Sequence, residues 1–238
     1  MSVYIKLTKS KEQRKLFQMK KKYDLHAPYQ PDSFKFKNKK TVEEIIARYP
    51  KGCQQSAVMP LLDLVQREVA VDGAKLSPPV GGWVPRAAMD HIAEVLEMPP
   101  MKVYEVASFY SMYNMEPVGK YLLQVCTTTP CWLCGSNGVM KAIQDTIGLS
   151  HNYETTRDGY FTLLEVECLG ACANAPMVQI NDDFYEDLSY DRMVEIIKAL
   201  QKDEIPPKGP QNGRLNAMAA NGPTSLEEQA KKAGIEAA

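Results

Sequence analysis

Five of the six cysteines in this 238-residue chain fall in two short stretches. The first reads Cys126-Thr127-Thr128-Thr129-Pro130-Cys131, with Cys134 just beyond it, and the second reads Cys168-Leu169-Gly170-Ala171-Cys172. A thiolate is a soft ligand that suits iron, zinc and copper. Two thiolates from one loop and two from another make a four-sulfur site, and four thiolates hold an iron–sulfur cluster, whose chemistry is electron transfer. The spacer with Pro130 gives a bend, and the Leu-Gly-Ala spacer is small enough for main-chain amides to approach the sulfurs. Amide hydrogen bonds to sulfur raise a cluster's reduction potential.

Spacing alone leaves other assignments open. Cys126, Cys131 and Cys134 fit the plant-type ferredoxin run C-x4-C-x2-C with a distant fourth ligand. Cys131-Trp132-Leu133-Cys134 fits a C-x-x-C redox pair ahead of a helix whose N-terminus would lower a thiol pKa. Four cysteines also fit structural zinc, and buried free thiols need no metal at all. Cys53 stands apart from both stretches and reads as a bystander thiol.

The elements that must position these loops are legible around them. Tyr121 to Val125 predicts a strand ahead of the first stretch, and Phe161 to Glu167 alternates as a strand ahead of the second. Ser136 to Ile147 predicts a helix, with Val139, Met140, Ile143 and Ile147 on one face and Gly148 as its stop. Met177 to Ile180 predicts a strand, turning at Asn181-Asp182-Asp183 into a hairpin partner near Phe184 to Glu186. Ser189 caps a last helix that carries Met193, Ile196, Ile197 and Leu200 on one face. Strand, helix, strand, hairpin and helix predict a mixed sheet flanked by helices, a thioredoxin-like arrangement over residues 116–205.

Ahead of it, residues 41–115 predict a helical bundle. Thr41-Val42-Glu43-Glu44 fits a capping box. Ser56 is a cap for the next helix, which carries Leu61, Leu62, Val65 and Val69 and ends near Asp72-Gly73. Pro85 starts a third helix with Ala88, Ile92, Val95 and Leu96. Pro99-Pro100 primes a fourth from Met101 to about Tyr110, with Val103, Val106 and Phe109 on one face. Trp83 and His91 are expected in this core. The fold class is therefore α+β, a helical bundle followed by a thioredoxin-like domain.

The net charge of −1 hides an asymmetry. Residues 1–40 form a basic arm in which 12 lysines and arginines face only Glu12, Asp24 and Asp32. The first 22 residues suit organelle targeting or surface docking better than secretion, because they hold no continuous apolar core. The remainder is acidic, which argues against nucleic-acid binding. No apolar run approaches the roughly 20 residues of a membrane span, so no direct membrane insertion is expected. Nothing marks a secreted chain, so the cysteines read as ligands or thiols rather than as disulfides. Residues 206–238, rich in Pro, Gly, Asn and Ala with a weakly helical end at Ser225 to Ala233, read as a tail without a core of its own, disordered or laid over a partner. There is no G-x-G-x-x-G after a strand and no P-loop, and His26, His91 and His151 are isolated, so no complete active site is expected in this chain.

Beyond spacing, the residues themselves carry a resemblance. Val125 to Cys131, and Glu167-Cys168-Leu169-Gly170-Ala171-Cys172-Ala173-Asn174-Ala175-Pro176-Met177, resemble the signature of the thioredoxin-like 2Fe–2S subunit (24 kDa type) of the NADH dehydrogenase module of respiratory complex I, mitochondrial form. The likeness runs back through Val103 to Tyr110 and Pro117 to Tyr121, and forward through Pro207 to Arg214. The resemblance implies Cys126, Cys131, Cys168 and Cys172 as ligands of one 2Fe–2S cluster, with Cys134 at a position that is not a ligand in the family. It implies that NADH and FMN bind only in a flavoprotein partner subunit, that the neighbouring large iron–sulfur subunit is a second partner, and that the chain sits on the matrix side of a mitochondrial inner-membrane complex. It implies single-electron exchange with the flavin, the direct route to quinone running through other clusters. The same module in a flavin-linked hydrogenase or formate dehydrogenase is the alternative that the tail disfavours. Pro176 lies where thioredoxin-like folds keep a cis proline, and a cis Ala175–Pro176 peptide is expected.

Overall fold

A computed structural model describes residues 29–218 and 225–234. The expected targeting segment at residues 1–22 lies outside these. The chain divides into two units: Met1–Ala70 with Gly82–Pro117, and Val71–Gly81 with Val118–Ala238.

The first unit is helical. Helix α1 spans Lys39–Ile46 and buries Val42 and Ile45. Its cap differs from expectation: the Asn38 side chain, not Thr41, accepts a hydrogen bond from the Thr41 amide at 3.3 Å, so the helix begins two residues before the expected capping box. Asn is as good an N-cap as Thr. Ser56 likewise caps nothing, because it lies inside a 3₁₀ turn, Gln54–Ala57, that runs directly into α2, Val58–Gly73. Helix α3 spans Arg86–Val95 and α4 spans Pro100–Phe109. Leu61, Leu62, Val65, Met89, Ile92, Leu96 and Val103 are all 0% exposed and form the centre of this core. Phe109 is not part of it and stands 79% exposed. At 100° per residue, Phe109 lies about 120° around the helix from Val103, whereas Ala107 lies about 40° away and is buried in its place. Trp83 is buried, and His91 is half-buried against Phe34 and Phe36.

The second unit holds a six-stranded mixed sheet. Its strands are β1 Tyr121–Cys126, β2 Glu154–Thr155, β3 Phe161–Val166, β4 Val178–Ile180, β5 Asp183–Glu186 and β6 Gly209–Pro210, in the order β2-β3-β1-β4-β5-β6. β1 and β3 are parallel, with Tyr121 opposite Phe161 and Cys126 opposite Val166. β4 is antiparallel to β1, with Val125 opposite Val178. Helices α5 Thr129–Leu133, α6 Ser136–Ile147 and α7 Tyr190–Leu200 belong to the same unit. Helices α6 and α7 pack on each other and cover one sheet face, where Val139, Ile143, Met193, Ile196 and Ile197 meet Leu123, Val125, Phe161, Leu163 and Val178. The alternation of β1 and β3 sends Leu122 and Leu164 to the other face, beside Val118. A short last helix, α8, spans Glu227–Lys232.

The tail differs from expectation near its start. Gly209–Pro210 adds to the sheet beside β5, and Gln211 donates its amide to the Glu186 carbonyl at 2.9 Å, so the chain beyond Pro206 first lies on its own domain.

Candidate metal centre

Parallel neighbours in register open at the same end. Cys126 is the last residue of β1, and β3 ends opposite it, two residues before Cys168. β4, antiparallel, begins at that same end with Met177 just before it. Both cysteine loops and the segment returning from the second therefore gather at one edge, the carboxyl ends of the parallel strands, where open α/β sheets also place their ligands.

The first loop is dry and the second is wet. Cys126 and Cys131 are each 1% exposed and pack with Met177 under Leu169, Ala171, Ala175 and Phe184. Cys131 sits inside α5, a helix whose Pro130 falls in the first turn, where its missing N–H costs nothing. Cys168 and Cys172 are exposed, and their sulfurs lie 3.4 Å apart. Gly170 has φ +87°, a conformation that excludes most side chains, and its amide donates to the Cys168 sulfur at 3.4 Å. The Ala175–Pro176 peptide is cis, as expected.

The electrostatics tie the two loops together. Burial raises the Cys126 thiol, but the Thr128 hydroxyl and amide, the Cys131 thiol and the Leu169 amide outweigh it and lower its pKa. Leu169 belongs to the second loop, so that loop serves a sulfur of the first. Burial pushes the Cys131 thiol up to about 12, reinforced by its hydrogen bond with Cys126 and opposed by the Met177 main chain. The Cys168 side chain raises Cys172, helped by burial and by the charge of Cys126. The sulfurs are thus paired, Cys126 with Cys131 and Cys168 with Cys172. Among the described residues no three His, Cys, Asp or Glu side chains are grouped as around a single metal ion.

A family model for the thioredoxin-like [2Fe–2S] ferredoxin matches residues 42–201. The chain belongs to the thioredoxin-like [2Fe–2S] ferredoxin family. One relative, a subunit of the NADH-quinone oxidoreductase of Rickettsia conorii, is 52% identical over 171 residues, 72% of this chain and 95% of the relative. The mitochondrial NADH dehydrogenase [ubiquinone] flavoprotein 2 of Dictyostelium discoideum is 44% identical over 203 residues, 85% of this chain and 76% of the relative. A solved NAD⁺-reducing [NiFe]-hydrogenase matches with TM-score 0.47 and 18% identity over 60% of this chain and 22% of its own.

Of the remaining cysteines, Cys134 is exposed at the C-terminal end of α5, and Cys53 lies exposed in the helical unit. Sequence reasoning placed the Leu-Gly-Ala amides near sulfur but did not single out the Thr128 hydroxyl, 3.2 Å from the Cys126 sulfur. Its signal was present: a hydroxyl two residues past a ligand can reach back to it, as a Ser or Thr does in a turn. Met177 and Phe184, which pack with the buried pair, were read as strand residues, Met177 also as the end of the second signature, and neither as cover for the sulfurs.

Proposed function

We propose that Cys126, Cys131, Cys168 and Cys172 hold one 2Fe–2S cluster, with Cys126 and Cys131 on one iron and Cys168 and Cys172 on the other. Such a cluster carries one electron at a time. The chain's own residues set its environment. Apolar Met177, Leu169 and Phe184 keep water from the Cys126–Cys131 side. The Thr128 hydroxyl and the Leu169 and Gly170 amides stabilise charge on sulfur, and Cys168 and Cys172 leave the other side open for an electron to enter or leave.

This chain is an electron-transfer subunit of the NADH:quinone oxidoreductase type; its Rickettsia relative is a subunit of an NADH-quinone oxidoreductase and its Dictyostelium relative an NADH dehydrogenase [ubiquinone] flavoprotein. NADH and FMN would bind in a flavoprotein partner subunit, where the flavin would supply the conversion of a hydride into single electrons. A large iron–sulfur subunit is the other neighbour. The mitochondrial relative supports a mitochondrial location, and the proposed place is the matrix side of an inner-membrane complex. Among the described residues no helix is long and apolar enough to cross a membrane, so attachment would come through those partners.

The observation that carries this reading is the pairing of four sulfurs at one sheet edge by two loops. Replacement of single cysteines tests it. Cys168→Ser is expected to lose the visible absorbance, the iron and the acid-labile sulfide, while Cys134→Ser keeps all three. Loss of the cluster in the Cys134 variant would mean that the ligand set is wrong.

A further inference from the structure

The two halves of the site are held by different means. Cys131 is fixed by apolar packing, but Cys172 and Ala173 are exposed, so their position depends on polar ties. Those ties converge on one guanidinium. Arg214 Nε donates to Asp187 Oδ2 at 2.8 Å and Nη2 donates to Asp187 Oδ1, while Nη2 also donates to the Ala173 carbonyl at 2.7 Å. The Arg214 and Asp187 side chains are only 17% and 10% exposed. Asp187 in turn donates its amide to the Asn174 carbonyl at 2.8 Å, and Leu188 donates to the Pro176 carbonyl at 3.0 Å. Asn174, 2% exposed, donates its side chain to Glu186 at 2.9 Å and to the Asn216 carbonyl at 2.8 Å.

Building on the cluster site proposed above, we propose that Arg214 is a positioning residue for the second cysteine loop, fixing Cys172 by clamping its neighbour Ala173 to Asp187. The clamp comes from beyond residues 42–201, the part that the family model matches. Bidentate pairing of a guanidinium with a carboxylate fixes geometry as well as charge. Outer contacts of this kind orient a ligand, and losing one typically costs about 10- to 100-fold in metal affinity. Lysine keeps the charge but not the planar fork that spans Asp187 and the carbonyl. A second ion pair on the same tail, Lys208 with Asp183, is largely exposed and lies at the start of β5, away from the cysteine loop.

The test uses the full chain with its cluster. Iron release to a chelator is followed by bleaching, beside the line width of the electron spin resonance signal after reduction. Arg214→Gln is expected to release iron about 10- to 100-fold faster and to broaden the signal. Arg214→Lys should fall between it and the wild type, and it carries the test alone if the glutamine variant does not fold. Lys208→Gln should match the wild type. The proposal is overturned if the Arg214 variants release iron at the wild-type rate with an unchanged signal. It is equally overturned if Lys208→Gln accelerates release as much, since the effect would then belong to tail attachment in general. A wild-type chain without iron and labile sulfide would instead overturn the cluster assignment, and Arg214 would have no loop to position.

Discussion

Thr128→Val should lower the reduction potential of the cluster without unseating it. The Thr128 hydroxyl lies 3.2 Å from the Cys126 sulfur. A thiolate ligand can only accept, so the hydroxyl must donate once iron is bound. That bond strengthens when an added electron increases the charge on sulfur. Hydrogen bonds of this kind contribute about 0.5–1.5 kcal/mol net. For a one-electron couple that corresponds to roughly 20–60 mV, because a tenfold change in equilibrium is about 59 mV. Thr128 is half-buried, so water replaces part of the lost bond, and the lower half of that range is expected. The substitution is clean for two reasons. The Thr128 side chain makes no capping bond to α5, and the Thr128 amide, which also serves Cys126, is retained. A redox titration followed by electron spin resonance reads the shift. Thr128→Ser, which keeps the hydroxyl, should return the wild-type value. An unchanged or raised potential in the valine variant would refute the argument, as would a serine variant that shifts equally.

Two further outcomes test the scaffold. Leu123 is 0% exposed at the centre of the second unit, so Leu123→Ala should cost about 2–5 kcal/mol, read as a lower denaturation midpoint with the cluster spectrum unchanged. In the helical unit, burial pushes the Tyr113 phenol up to about 12 from 10.0, and its hydroxyl donates to the Met59 carbonyl at 2.9 Å. The folded state therefore holds this proton more tightly, so stability is full below pH 10 and is lost as the pH rises toward 12. Tyr113→Phe should be less stable by about 1 kcal/mol at neutral pH. It should also show a shallower loss of stability above pH 10, measured by denaturant unfolding across that range.

The second unit was legible because its strands and helices are long enough to show a period. β1 and β3 each run six residues with clear apolar runs, and α6 and α7 carry apolar residues at helical spacing. The elements that escaped were too short for any period to register. Helix α5 is five residues, and β2 and β6 are two each, so they exist through their partners rather than through propensity. Helix starts were blurred where two caps compete, as with Asn38 and Thr41. The four cysteines of the two loops stood out by type, yet the meeting of those loops at one end of the sheet depends on the parallel register of β1 with β3, which no local pattern encodes. Arg214 was hidden for a similar reason. A Pro- and Gly-rich stretch reads as a tail until Gly209–Pro210 docks beside β5 and brings the guanidinium to Asp187.

The same geometry bears on the two chemistries that a C-x-x-C run offers. A thiol–disulfide nucleophile needs a depressed pKa and an accessible sulfur, usually at a helix N-terminus. Cys131 has neither, being 1% exposed with its thiol pushed up to about 12. Cys134 is exposed, but it follows the C-terminal end of α5 rather than standing at a helix N-terminus. Gly135, with φ +101°, then separates it from the N-terminus of α6. Cys131 is thus not poised as a free thiolate. A buried thiol this reluctant to ionise becomes an anion only when a cation is bonded to it, since coordination deprotonates a thiol outright. The environment that disables Cys131 as a redox nucleophile is compatible with the ligand role proposed above, in which iron rather than a second thiol would supply the driving force for ionisation.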